Sequence, residues 1–145
     1  MKKEVHILLV EDNDGDILLT LEALKQANIN NKVDVVKDGD KALKYLYKEG
    51  QYKNAITPDL ILLDINLPKV DGIEVLNHIK NDEKLMIIPV VMLTTSDSER
   101  DILKSYKNHA NCYITKPVNF SNFMEVIKTI KDFWISIVQL PINYK

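Results

Sequence analysis

The feature that most constrains the fold is a regular alternation of short apolar runs with longer segments of helical periodicity. The run Val5–Val10 has the length of a strand, and from Ile17 to Ala27 apolar residues recur at helical spacing. The same change of period repeats along the chain, with further strands predicted at 33–36, 60–63, 87–93 and 111–115 and a helix after each. A series of this kind predicts a parallel sheet with helices on both faces.

Five strands and five helices within 145 residues predict an α/β fold, a doubly wound (βα)₅ flavodoxin-like parallel sheet in a single domain. A chain of this length can bury enough apolar surface to fold without a disulfide or a structural metal ion. Two predicted helix starts have the spacing of a capping box, Asp71 with Glu74 and Ser96 with Glu99. The last helix is predicted from about residue 119 to about residue 140, and the domain over residues 1–145 with no output domain.

Composition argues against several classes of partner. The 19 basic residues, of which Arg100 is the only arginine, are dispersed among 21 acidic ones, whereas nucleic-acid binding needs clustered positive charge. No stretch approaches the ~20 apolar residues of a membrane span. Cys112 is the only cysteine, so an intramolecular disulfide is excluded. We therefore expect a cytoplasmic protein that binds neither nucleic acid nor membrane.

Polar residues follow the predicted strands at their carboxyl ends, where open α/β sheets have their sites. Glu11 and Asp12 come after the first strand, Asp64 after the third, Thr94 after the fourth and Lys116 after the fifth. Carboxylates held together repel one another unless they share a cation, and Mg²⁺ suits oxygen ligands. An amine and a hydroxyl opposite them suit the anionic oxygens of a phosphoryl group. Asp64 is then the candidate nucleophile that forms an acyl phosphate.

These residues belong to motifs that occur in a fixed order: Ile7–Asp12, Leu60–Asp64, Leu67-Pro68, Asp71-Gly72, Thr94 and Tyr113-x-x-Lys116-Pro117. In this order they resemble the receiver domain of two-component response regulators over essentially the whole chain. Within that family, residues 109–118 and the ending from Phe133 to Pro141 are similar to the stand-alone regulators that partner bacterial phytochromes. His109 departs from the common pattern, because glycine is usual at that position.

The resemblance implies a function and assigns a role to each residue. The chain would be a single-domain response regulator, not an enzyme, that accepts a phosphoryl group on Asp64 from a histidine kinase of the phytochrome type. Lys116-Pro117 would have a cis peptide bond. Asp12, Asp64 and the backbone carbonyl of Asn66 would hold Mg²⁺, and Glu11 would assist through water. Thr94 and Lys116 would bind the phosphoryl oxygens. Tyr113 would be the switch aromatic, the ring that rotates on phosphorylation.

Three other functions would require a different set of residues. A phosphatase with an aspartyl-phosphate intermediate would need a general acid two residues after Asp64, where Asn66 stands. A flavodoxin-like cofactor-binding domain would need a phosphate-cradling loop after the first strand, but residues 11–14 are mostly acidic. A degenerate receiver that acts as a binding module would lack one of the site residues, and all are present.

The last predicted helix carries more apolar residues than one core-facing stripe requires. Those that lie off the stripe are Met124, Phe133, Ile135 and Leu140. Contiguous exposed apolar residues usually mark interaction sites. We therefore expect a homodimer formed through the fourth helix, the fifth strand and the fifth helix, with the symmetric pairing of such interfaces.

Overall fold

The structure is a computed structural model, and it describes residues 4–26, 31–116, 120–130 and 132–134. Five parallel strands form one sheet in the order β2-β1-β3-β4-β5, which confirms the predicted fold. The elements are β1 (Val5–Val10), α1 (Asp14–Gln26), β2 (Asn31–Val36), α2 (Gly39–Leu46), β3 (Leu60–Leu63), α3 (Gly72–Lys80), β4 (Val90–Thr94), α4 (Glu99–Lys107), β5 (Cys112–Thr115) and α5 (Phe120–Ile130).

The core lies on both faces of the sheet, which is why the central strand is apolar throughout. Ile61 and Leu63 face the cluster under α2 and α3, whereas Leu60 and Leu62 face the cluster that receives α1 and α5. All four side chains of β3 are fully buried. No helix among the described residues combines the length and the apolar character needed to cross a membrane.

Of the two predicted helix caps, Asp71 is confirmed and Ser96 is wrong. The carboxylate of Asp71 accepts the N–H of Glu74 at 2.9 Å at the start of α3. At α4 the cap is Ser98, whose hydroxyl accepts the N–H of Asp101 at 3.1 Å, so the helix begins at Glu99. The hydroxyl of Ser96 donates instead to the Asp101 carboxylate at 2.6 Å.

Two predicted strands are longer than the observed ones. β4 begins at Val90 rather than at residue 87, because Ile87 belongs to a turn in which it is partly exposed and Pro89 has no N–H to donate. β5 begins at Cys112. The last helix is described as α5 to Ile130; its predicted continuation past residue 134 and the Lys116-Pro117 bond lie outside the described residues.

The turn between α4 and β5 explains how the unusual His109 is accommodated. His109 has a φ of 67°, the left-handed conformation that follows many helix ends and that glycine adopts most easily. Its N–H donates to the carbonyl of Tyr106, and the next N–H, of Ala110, donates to Ser105, both at 3.0 Å. The backbone therefore has the conformation that a glycine would adopt, with a histidine in place of it.

Candidate functional site

The sheet itself brings the site residues together, because its ladder continues one residue past each strand. The N–H of Asp64 donates to the carbonyl of Val10, and the N–H of Lys116 donates to that of Thr94, at 3.1 and 2.7 Å. The N–H of Glu11 donates to the carbonyl of Val36 at 3.1 Å. The backbone positions of Glu11, Asp64 and Lys116 are thus fixed by hydrogen bonds to the neighbouring strands.

Lys116 is the centre of the site. Its side chain is only 2% exposed, and its ammonium donates to Oε1 of Glu11, to Oδ2 of Asp16 at 3.0 Å and to Oδ2 of Asp64 at 3.4 Å. A buried ammonium requires such partners, because burial of an unpaired charge is costly. The predicted convergence of Lys116 with Glu11 and Asp64 is therefore observed.

Burial and charge shift the pKa values of this group in ways that can be assigned. Burial raises the pKa of Glu11 to about 7, with a smaller increase from Asp64, and the hydrogen bond from Lys116 acts in the opposite direction. Burial lowers the pKa of Lys116, but the hydrogen bond to Glu11 and the charge of Asp64 outweigh it and raise the pKa overall. The lysine is therefore the fixed positive charge of the site.

Asp64 itself is held at both of its carboxylate oxygens and at its backbone. Oδ1 accepts the N–H of Ile65 at 2.7 Å and that of Asn66 at 3.4 Å, which leaves Oδ2 toward Lys116. The start of α3 packs directly on this turn, since a Cβ built on Gly72 would lie 1.9 Å from the carbonyl oxygen of Asp64. Only glycine fits there, so α3 and the Asp64 turn are positioned together.

Three carboxylates near Asp64 form a group that could hold a cation. Glu11, Asp12 and Asp64 each offer one oxygen, and these oxygens lie within 4.8 Å of one another. Asp12 is exposed, whereas the other two are buried. An all-oxygen donor set of this kind fits a hard divalent cation such as Mg²⁺. For Asn66 the structure gives the N–H contact to Asp64, and the role of its carbonyl stays a prediction.

Thr94 and Tyr113 are linked through the loop after β4. Thr94 is fully buried, and its hydroxyl accepts the N–H of Ser96 at 3.3 Å. The hydroxyl of Tyr113 donates to the carbonyl of Ser96 at 2.8 Å, and its partly buried ring packs against the cluster under α2 and α3. A movement of Thr94 would therefore reach Tyr113 through a single residue.

Two residues of this site, Asp16 and Ser96, were not predicted from the sequence. The predicted site residues directly follow strands or stand in them, whereas Asp16 lies in the first turn of α1 and Ser96 in the loop before α4. Asp16 could have been found from its position, because the first turn of a helix that leaves a strand end points back over that end of the sheet.

The geometry is that of a buried carboxylate beside a fixed ammonium and a group of carboxylates that could hold a cation, and it suits transfer of an anionic group onto Asp64. Residues 7–128 match the family model described as the response regulator receiver domain. Response regulator Rcp1 of Synechocystis sp. is 46% identical over 135 residues, which cover 93% of this chain and 92% of that protein.

Solved structures agree with this match. The crystal structure of the phosphorylated cyanobacterial phytochrome response regulator RcpA is 52% identical, with a TM-score of 0.94 and coverage of 96% of this chain and 99% of that one. The Mn²⁺-bound form of Rcp1 is 45% identical, with a TM-score of 0.92 and coverage of 94% and 99%.

Proposed function

The chain belongs to the response regulator receiver family, whose members are phosphorylated on an aspartate, and from this premise we propose that Asp64 is the phosphorylated residue. The observation that carries the proposal is the position of Asp64, buried after the central strand with the Lys116 ammonium 3.4 Å from Oδ2. The phosphatase alternative is not favoured, because Asn66 carries an amide where a general acid would be needed.

The proposed reaction is phosphoryl transfer from a phosphohistidine of a histidine kinase. A carboxylate oxygen of Asp64 forms the new O–P bond as the N–P bond breaks, and the electron pair returns to the imidazole nitrogen. Lys116 and the hydroxyl of Thr94 bind phosphoryl oxygens. Glu11, Asp12, Asp64 and the carbonyl of Asn66 would hold the cation, which we propose to be Mg²⁺. When bound, it neutralises charge that develops on the transferred group.

We propose that the histidine kinase is of the phytochrome type. We also propose that this protein is a signal transducer in the cytoplasm. The support for the partner is the similarity to RcpA, which is described as a phytochrome response regulator and covers nearly all of this chain. The support for the compartment is that the chain has a single cysteine, whereas small domains of oxidising compartments are usually rich in disulfides.

We further propose that phosphorylation changes a face formed by α4, β5 and α5, and that this face forms a homodimer. Thr94 would move toward the phosphoryl group, and the Ser96 loop and Tyr113 would follow. On this face α4 exposes two large apolar side chains, because Leu103 is 55% exposed and Tyr106 49%; Phe133, which follows α5, is 50% exposed. Leu103 and Tyr106 are three residues apart on α4 and so lie on the same side of that helix, and adjoining exposed apolar side chains are typical of an interface.

Intact-mass spectrometry after incubation with acetyl phosphate and Mg²⁺ tests the phosphorylation site. We expect the wild-type protein to gain about 80 Da, the mass of one phosphoryl group, and the Asp64→Asn variant to gain nothing. Asp59→Asn is the matched control, since Asp59 is also buried but lies at the opposite end of β3, where its carboxylate accepts the N–H of His6. A mass increase that persists in Asp64→Asn would disprove the assignment.

Size-exclusion chromatography with light scattering tests the homodimer. We expect Leu103→Glu to yield a monomer, because the substitution places a charge in the α4, β5 and α5 face. Leu18→Glu is the control, since Leu18 is 69% exposed on α1, outside that face, and its replacement should leave the oligomeric state unchanged. A Leu103→Glu dimer, or a monomeric wild-type protein in both phosphorylation states, would disprove the proposal.

A further inference from the structure

Asp16 is the one carboxylate bonded to Lys116 that the proposed chemistry does not use. Glu11 and Asp64 bind Lys116 and also belong to the group of oxygens that could hold a cation. Asp16 lies outside that group as it is formed by the described residues, and its Oδ2 is 3.0 Å from the ammonium. Asp16 therefore bonds to Lys116 without being one of the residues that would hold the cation.

The backbone around Asp16 is fixed on both sides. Its N–H donates to Oδ1 of Asn13 at 2.9 Å, and its carbonyl accepts the hydroxyl of the buried Thr20 at 2.7 Å. The carboxylate thus projects from an anchored first turn of α1 and lies nearer to the ammonium than Oδ2 of Asp64 does. It is only 25% exposed, so water screens the ion pair incompletely.

A phosphoryl group on Asp64 would need the same ammonium. It brings negative charge beside Oδ2 of Asp64, within reach of Lys116, while Asp16 holds that ammonium from the side of α1. Asp16 therefore competes with the phosphoryl group for one cationic donor, and its own charge repels the group. Both effects raise the free energy of the phosphorylated protein. They are relieved by hydrolysis, in which a water oxygen bonds to phosphorus, the O–P bond to Asp64 breaks with its electron pair left on the carboxylate, and inorganic phosphate leaves with the protons of the water.

We infer that Asp16 is a positioning residue: it holds the Lys116 ammonium and thereby shortens the time for which Asp64 stays phosphorylated. This inference rests on the proposed function. Asp16→Asn keeps the shape and removes the charge, so it should lengthen the half-life of the phosphorylated protein by roughly three- to tenfold, as expected for loss of one partly screened charge at this range. Asp16→Glu keeps the charge and should stay within about twofold of wild type.

The experiment follows the phosphorylated fraction by intact mass after the phosphodonor has been removed from protein with Mg²⁺. Asp14→Asn is the matched control, because Asp14 lies in the same turn but is exposed and pairs with Lys37 at 2.6 Å. Its half-life should equal that of wild type. Raising the salt concentration should reduce the difference between Asp16→Asn and wild type, which a merely structural effect would not do.

The possible results separate this inference from the function on which it rests. If wild type is phosphorylated and Asp16→Asn has an unchanged or shorter half-life, the role of Asp16 is refuted and the function stands. Equal lengthening in Asp16→Asn and Asp16→Glu would also refute it, because charge would then not be the cause. A wild-type protein that accepts no phosphoryl group would refute both.

Discussion

Replacement of Gly72 by alanine should strongly destabilise this protein, although the side chain added is only a methyl group. A Cβ at this position would lie 1.9 Å from the carbonyl oxygen of Asp64 and 2.8 Å from both the Asp64 carbonyl carbon and the Cα of Ile65. Ordinary contact begins at about 3.4 Å. The start of α3 would therefore have to move away from the Asp64 turn by more than an ångström.

The size of the effect follows from what blocks the methyl group. All three atoms are backbone, so none can rotate away as a flexible side chain would. The start of α3 is also anchored, by the Asp71 cap and by the N–H of Gly72, which donates to the carbonyl of Ile65 at 2.8 Å. Overpacking typically costs 1–3 kcal/mol, and we expect about 3 kcal/mol here because neither side can yield cheaply.

Gly15→Ala is the matched substitution with the opposite expectation. Gly15 is exposed in the first turn of α1, and its added Cβ would meet only Oδ1 of Asn13, at 3.3 Å. Alanine restricts the unfolded chain more than glycine does and favours the helix, so the variant should be neutral or more stable by up to about 1 kcal/mol. The two variants carry the same chemical change, glycine to alanine, and differ only in the atoms that surround the added methyl group.

Urea unfolding followed by circular dichroism measures both variants. With a typical slope of about 1–3 kcal/mol per molar urea, a loss of about 3 kcal/mol lowers the midpoint for Gly72→Ala by about 1–3 M. Phosphorylation of this variant without urea should also be slower, because the displaced turn carries Asp64. A Gly72→Ala midpoint equal to that of wild type, or an equal loss in Gly15→Ala, would refute the reasoning.

Three further predictions concern a buried hydroxyl, the proposed switch aromatic Tyr113 and the proposed cation. Ser105→Ala should leave thermal stability unchanged or raise it by about 1 kcal/mol, because the buried Ser105 hydroxyl has no hydrogen-bond partner among the described residues; a loss above 1 kcal/mol would contradict this. Tyr113→Phe should lower the free energy of unfolding in urea by about 1 kcal/mol through loss of the 2.8 Å bond to Ser96, and an unchanged midpoint would show that the bond contributes nothing. Mg²⁺ at ten times its dissociation constant should raise the free energy of unfolding by about 1.4 kcal/mol, measured by calorimetry. Asp12→Ala removes an exposed carboxylate and should abolish most of this increase. An equal increase in the two proteins would exclude Asp12 as a ligand.

The sequence predicted the sheet and the central residues of the site because both follow from simple regularities. A strand buried on both faces must be apolar throughout, as Leu60–Leu63 is. Residues that directly follow parallel strands must gather at one edge of the sheet, and for this reason Asp64 and Lys116 could be placed together before any contact was known.

The errors came from patterns that fit two positions equally well. Ser96 and Ser98 each stand three residues before an acid, and only the folded loop shows that the hydroxyl of Ser96 is bonded to Asp101 while Ser98 caps the helix. The contact between Asp16 and Lys116 joins residues 100 positions apart. Such a contact depends on how α1 crosses the end of the sheet, which local periodicity does not encode.

Among the described strands, β5 lies at the border of the sheet and pairs with β4 alone. Its side chains are less buried than those of β3, so side-chain packing stabilises β5 less than it stabilises β3. Lys116, immediately after it, reaches across to Glu11 and Asp64, which follow β1 and β3, and to Asp16 on α1. The ammonium thus tethers the outermost strand to the middle of the protein, and whatever redistributes its bonds changes how readily that strand opens locally. We therefore expect the proposed phosphorylation of Asp64 to change the rate of amide hydrogen exchange along Cys112–Thr115, because both depend on the ion pairs of Lys116.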